Sequence, residues 1–196
     1  MYEDLLPDVL ANCVGVDEGF ALRTLRNVGI DFCIRSLVWE ADIDLDTTAD
    51  QQDYTLTPAY DAVVHEIVSV KVKTASTQSF DDLSPISESL YELQDDMTLH
   101  FLRDDYSAQN TITAGMRVRA VLRPTRNSGE LPDYFTERWA DELVAGTTAK
   151  LMMIPERPYS NPNTAQHYDN IFRNGIIRAS IEKDKLGRAN VEGFSA

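Results

Sequence analysis

Leu37-Val38-Trp39-Glu40-Ala41-Asp42-Ile43-Asp44-Leu45-Asp46 holds the point where the apolar residues change from a helical to an extended period. Upstream, Ala21, Leu25, Val28, Phe32 and Trp39 stand three, four and seven residues apart, on one helical face. Ile30, Ile34 and Val38 add a second stripe, so this helix is expected to become more buried toward its end near Trp39. Downstream, Ile43 and Leu45 alternate with Asp42, Asp44 and Asp46, as in a strand with one core face and one wet face.

Working outward from that switch, Pro7 suits the first turn of a short helix carrying Val9, Leu10 and Cys13. Gly15 and Gly19 bracket a break in which Asp17 is the expected N-cap. On the other side the period of two recurs. Tyr54 and Leu56 form one run; Val68, Val70 and Val72 alternate with Ser69, Lys71 and Lys73 in another. Leu99 and Phe101 follow, then Met116, Val118, Ala120 and Leu122 alternating with Arg117, Arg119 and Val121. A curved antiparallel sheet of about five strands is expected. The spacing of Ile86, Leu90 and Leu93 suggests a short helix within Ser84–Leu93.

Arg123-Pro124-Thr125-Arg126-Asn127-Ser128-Gly129 is turn-rich and leads into two long helices. The first begins near Pro132, carries Phe135, Trp139, Leu143, Gly146 and Met153 on its stripe, and stops at Ile154-Pro155. The second begins at Asn161-Pro162, an N-cap followed by proline at the first helical position. Its stripe is Ala165, Tyr168, Phe172, Ile176 and Ala179, and Gly187 is the expected stop. Helices, then sheet, then helices is the segregated order of an α+β protein, not an alternating doubly wound one.

The 196 residues suit one compact domain or two modules, and 43% apolar with 26% charged residues is globular composition. No apolar run approaches the roughly 20 residues of a bilayer span. Met1-Tyr2-Glu3-Asp4 lacks the basic and apolar regions of a signal peptide, so no membrane insertion or secretion is expected. Cys13 and Cys33 are expected to be reduced core residues, too few for a disulfide framework or a zinc site. The formal charge of −14 is uneven. Residues 1–61 carry three basic against thirteen acidic groups, residues 62–115 three against nine, and residues 116–196 twelve against ten. Such a surface repels nucleic acid over most of its extent, because phosphate binding needs clustered Lys and Arg.

Asp42, Asp44 and Asp46 have the spacing of the first three ligands of a calcium loop. Thr47 then stands where that loop needs glycine and Asp53 where it needs glutamate, so an acidic strand face is the better reading. Asp81-Asp82, Asp95-Asp96 and Asp104-Asp105 read as solvated loop pairs, with metal-dependent hydrolysis as the alternative. His65, His100 and His167 fall in no metal or nucleophile motif, and no phosphate-binding glycine motif occurs. Arg117, Arg119 and Arg123 project from one strand face. They are read as partners of carboxylates on another protein or subunit, ahead of nucleic-acid contacts, with a solvated face close behind.

The run Leu5-Leu6-Pro7-Asp8-Val9-Leu10 leads to Ala21-Leu22-Arg23, Asp31-Phe32-Cys33 and Val38-Trp39. Leu131-Pro132-Asp133 then precedes Trp139-Ala140, and Pro155 and Pro158-Tyr159-Ser160-Asn161-Pro162 precede Ala165 to Phe172. In this order of features the chain resembles the head-to-tail adaptor (connector) proteins of tailed bacteriophages, the podophage tail tubular protein A group. The resemblance implies a structural virion protein, not an enzyme, and no cofactor or metal. It implies a helical bundle, residues 1–39 with 130–187, carrying an inserted β-sheet or barrel-like module, residues 40–124, and a tail, residues 188–196. It further implies a ring of twelve copies at the head-to-tail interface of the virion, assembled in the host cytoplasm. The ring would join the portal protein to a tail nozzle or tail-tube protein, and DNA would pass through its bore without specific binding. The portal contact would fall at the end of the chain, on Lys185, Leu186, Gly187, Arg188 and Phe194. An acidic bore would discourage phosphates from sticking, which points to Asp42, Asp44 and Asp46 as channel lining and leaves Arg117, Arg119 and Arg123 for contacts between subunits. A stopper-like connector, a metal-dependent hydrolase and a cytoplasmic binding module are the competing readings.

Overall fold

The computed structural model describes residues 2–102 and 111–192, with side chains described as far as Lys183. The fold is mixed α+β and divides into two units, Met1–Val38 with Pro124–Ala196, and Trp39–Arg123.

In the helical unit a 3-10 turn, Tyr2–Leu5, leads into α1, Leu6–Asn12, and then α2, Glu18–Ser36. Asp17 caps α2 by accepting a hydrogen bond from the Phe20 amide at 2.8 Å. The helix ends three residues before Trp39, because Leu37 turns into the left-handed conformation with φ 54° and its amide closes on the Cys33 carbonyl. The second expected stripe, Ile30, Ile34 and Val38, is only half-buried. Two long helices complete this unit: α3, Asp133–Met152, and α4, Pro162–Glu192. Asn161 caps α4 through the Thr164 amide. Helix α4 does not stop at Gly187 but continues to Glu192, so the expected tail from Arg188 begins as helix. The glycine cost of about 1 kcal/mol does not break a helix whose neighbours, Leu186, Arg188 and Ala189, are good helix formers.

The core of the helical unit is aromatic. Phe32 on α2 stands edge-on to Phe135 at 5.5 Å and tilted against Trp139 at 5.5 Å and Phe172 at 5.9 Å. Helices α3 and α4 run antiparallel and approach closely at two glycines. A Cβ on Gly146 would lie 2.6 Å from a Phe172 ring carbon, and one on Gly175 would collide with Glu142. Cys13 and Cys33 are free and buried, and burial pushes both thiols up, so they stay protonated at neutral pH.

Among the described residues the β unit holds six strands: β1 (Glu40–Thr47), β2 (Asp53–Thr55), β3 (Ala62–Val72), β4 (Tyr91–Gln94), β5 (Thr98–Phe101) and β6 (Ile112–Pro124). They form two three-stranded antiparallel sheets, ordered β1-β6-β3 and β2-β5-β4. Among the described residues no closed barrel forms, which corrects the expectation of one sheet or a barrel-like module. The helix expected within Ser84–Leu93 is a single 3-10 turn, Glu88–Leu90, followed directly by β4. Pairing with β5 overrides the helical spacing there. The core faces bury Ile43, Met116, Val118 and Leu122 in the first sheet and Tyr54, Tyr91, Leu99 and Phe101 in the second.

Candidate functional site

The first sheet collects six of the residues singled out in the sequence: Asp42, Asp44 and Asp46 on β1 and Arg117, Arg119 and Arg123 on β6. In the antiparallel register of β1 and β6, Asp42 stands opposite Arg119 and Asp44 opposite Arg117. Alternation puts all four on the face away from Ile43 and Val118. Each pair is bidentate. Arg117 donates from Nε and Nη2 to the two oxygens of Asp44 at 2.7 and 2.8 Å, and Arg119 likewise to Asp42 at 2.8 and 3.2 Å. Asp46, one pleat further, accepts from the Ala114 amide at 2.8 Å. Arg123, at the far end of β6, donates to Asp96 in the turn before β5.

The residues expected to line a channel and those expected to bridge subunits are therefore brought together within one chain. The calcium-loop reading of Asp42, Asp44 and Asp46 does not fit, since their oxygens serve two guanidinium groups and a backbone amide on a regular strand. Asp81-Asp82 lies in a 3-10 turn and Asp95-Asp96 between β4 and β5, while Asp104-Asp105 lies outside the described residues. Among the described residues no group of three or more His, Cys, Asp or Glu is placed to hold a metal ion. His65 and His100 lie on strands; the Asp53 carboxylate lies 2.6 Å from Nδ1 of His100 across β2 and β5. His167 lies on α4, edge-on to Tyr168.

Strand β3 extends this face with Ser69 and Lys71, which line a small pocket with Asp42, Arg117 and Arg119. Above it sits Phe80, almost fully buried, in the 3-10 turn Phe80–Asp82. Lys73 Nζ lies 4.1 Å and the Arg117 guanidinium 4.5 Å from the ring centroid, and Lys71 donates to the Phe80 carbonyl at 2.9 Å. The two lysines were legible as the wet side of β3. Phe80 carried no periodic signal, because it comes from an irregular segment.

The Arg117 hydrogen bond holds the Asp44 carboxyl below its usual range, and the same contact raises the Arg117 guanidinium. A carboxylate with a depressed folded pKa adds stability above its unfolded pKa of about 4 and loses it as pH falls through the folded value. Both groups are partly exposed, so the contribution is expected to stay under about 1 kcal/mol. Asp44→Asn should be less stable than the parent at pH 7, and the gap in urea midpoint should close as pH falls below about 4. A gap that stays constant over that fall would remove the ion pair as its source.

A buried charge lies in the helical unit. Glu142 on α3 is buried and receives Arg178 from α4, next to Gly175. The signal was present, for Glu142 stands three residues after Trp139 and four before Gly146, at a stripe position. Of the residues proposed for the end of the chain, Lys185 to Arg188 fall on the α4 backbone, their side chains outside the described residues, and Phe194 lies outside them altogether. The backbone of α4 continues ten residues beyond Glu182, which pairs with Arg138, whereas α3 begins only five residues before Arg138. The last turn of α4 thus runs past the start of α3, and Ile177 and Ile181 on α4 are 57% and 49% exposed. No helix is long and apolar enough to cross a membrane among the described residues. No family model matches the chain, and no curated protein matches it either.

Proposed function

We propose that the protein is a head-to-tail adaptor of a tailed bacteriophage: a structural subunit that forms a ring beneath the portal and joins it to a tail nozzle or tail-tube protein. The observation that carries this reading is helix α4, whose backbone overhangs α3 and whose Ile177 and Ile181 form an exposed aliphatic pair one turn apart. Single exposed apolar residues are ordinary, but two on one face of an overhanging helix suit a helix-face contact. The arrangement of a helical unit interrupted by a β unit is the layout that the resemblance implies. In this reading the end of α4, with Lys185, Leu186, Gly187, Arg188 and the following Phe194, meets the portal.

The β unit carries six basic against sixteen acidic residues, which suits the wall of a DNA conduit without specific phosphate contacts. Asp42 and Asp44 enter that wall already paired, so its net negative charge comes from exposed residues such as Asp50, Asp61, Glu66 and Asp82. In this reading Arg117, Arg119 and Arg123 offer a carboxylate of a neighbouring subunit the N–H groups that their own carboxylates leave over. The reading has no catalytic residue, no cofactor and no membrane, and places the assembled ring of about twelve copies in the virion.

The test is to mix the purified chain with the portal ring of the same genome and weigh the product by native mass spectrometry. One added subunit per portal subunit is the expected result. A free monomer that persists beside an unmodified portal at high concentration would overturn the adaptor reading.

A further inference from the structure

The polar face of the first sheet encloses a pocket of about 120 Å³, lined by Ser69, Lys71, Asp81, Arg117 and Arg119 around Asp42 and covered by Phe80. We infer that this pocket binds a small oxyanion, the carboxylate or phosphate group of a ligand. The inference does not rest on the adaptor reading.

The donors carry the argument. A guanidinium has five N–H groups and an ammonium three. Arg119 gives two to Asp42, Arg117 gives two to Asp44, and Lys71 gives one to the Phe80 carbonyl. Each arginine uses Nε and Nη2 and keeps Nη1 for another acceptor; Nη1 of Arg117 stands 4.0 Å from the nearer Asp42 oxygen, beyond hydrogen-bond reach. Three cationic groups therefore meet in one pocket with donors to spare. The carboxylates beside them already accept from guanidinium groups on both oxygens. Asp81 alone brings an acceptor that is not committed in this way, and it acts on Arg117 only through its charge.

The donors are also held in place. Two adjacent strands fix their spacing, and the bidentate clamps of Asp42 and Asp44 fix the planes of both guanidinium groups. Little ordering is left for a ligand to impose. The Phe80 ring, between Lys73 and Arg117, shields one side from water and so strengthens charge-assisted hydrogen bonds inside. Locally, Lys71, Lys73, Arg117 and Arg119 face Glu40, Asp42, Asp44 and Asp81, an even balance of charge within a strongly acidic unit. With no net positive charge to draw in an extended polyanion, the spare directional donors select a small acceptor that fits the pocket.

The experiment titrates the full chain with inorganic phosphate and, separately, with acetate, at ionic strength matched with sodium chloride. Binding is followed by NMR through the backbone amides of residues 69–71, 80–81 and 117–119 and the arginine Nε–H signals. Saturable shifts confined to these groups are expected with at least one anion. Saturation by phosphate alone assigns a phosphate group, and by acetate alone a carboxylate. Lys71→Gln should weaken binding about tenfold through loss of a charge-assisted donor. Because that change also releases the Phe80 carbonyl, Asp81→Asn serves as the second variant. It removes the competing carboxylate without touching a donor and should tighten binding severalfold. Shifts that never saturate with either anion, or an affinity unmoved by both substitutions, would overturn the inference.

Discussion

Phe32→Ala is expected to cost the helical unit about 3–5 kcal/mol, a large part of the 5–15 kcal/mol that holds a typical domain together. Phe32 is fully buried on α2 and touches aromatic rings from both long helices: Phe135 and Trp139 on α3, Phe172 on α4. Its removal loses the transfer free energy of the ring and the edge and tilted contacts, each worth about 0.5–1.5 kcal/mol. The cavity cannot readily collapse. Phe172 is pinned against Gly146, where even one added carbon would stand 2.6 Å from its ring, and α2 is fixed at its ends by the Asp17 cap and the Leu37 turn. Phe32→Leu, which leaves a smaller void, should lose less than half as much. Urea unfolding followed through Trp139 fluorescence in a Trp39→Phe background measures both, since Trp139 belongs to the helical unit and Trp39 to the β unit. A loss below about 1 kcal/mol for Phe32→Ala would mean that the aromatic cluster is not the core of that unit.

The contrast between these two units shows what was legible in the sequence. The helices were readable because a helical face is a local property: Leu25, Val28 and Phe32 declare it within two turns, and Asp17 and Asn161-Pro162 mark its starts. The strands were readable as faces for the same reason. Their partners were not. Asp42 and Arg119 are separated by seventy-seven residues, and nothing in either strand says that they stand opposite each other. The sequence showed an acidic row and a basic row, and assigned them to different surfaces. The antiparallel register joins them, and this changes their chemistry from two charged surfaces to one paired ladder with donors left over. The division into two sheets was hidden in the same way, since β2 has only three residues and β4 only four, too short for a periodic signal. Ser84–Leu93 failed for a different reason. Its apolar spacing fits a helix, but Pro85 and the serines favour turns and Tyr91–Gln94 gains more from pairing with β5.

Arg178→Ala should destabilise the helical unit by about 3 kcal/mol, although Arg178 itself is largely exposed. The cost lies with Glu142, whose side chain is only 6% exposed and would be left charged and unpaired between α3 and α4. The Glu142 stem fills the space that Gly175 leaves by having no side chain, which packs it closely against the α4 backbone. A control lies on the same helix. Arg173 has nearly the same exposure and pairs with Asp169 one turn away, but both partners are solvated, so Arg173→Ala should cost no more than about 0.5 kcal/mol. Arg178 also covers the Trp139 ring at 5.7 Å, which adds a cation–π contribution of about 0.5–1 kcal/mol unrelated to Glu142. The double variant Glu142→Met with Arg178→Met separates the two effects, because an apolar pair of similar volume removes the stranded charge and keeps the packing. It should recover most of the stability lost in Arg178→Ala. Equal losses for Arg178→Ala and Arg173→Ala would show that Glu142 is solvated after all. A double variant as unstable as Arg178→Ala would place the whole effect on Trp139. If the expected pattern holds, the Glu142–Arg178 pair fixes the register of α4 on α3, and with it the length of helix that extends past the start of α3. Under the proposed adaptor function, the double variant, stable but without that lock, should bind the portal ring with unchanged stoichiometry and weaker affinity.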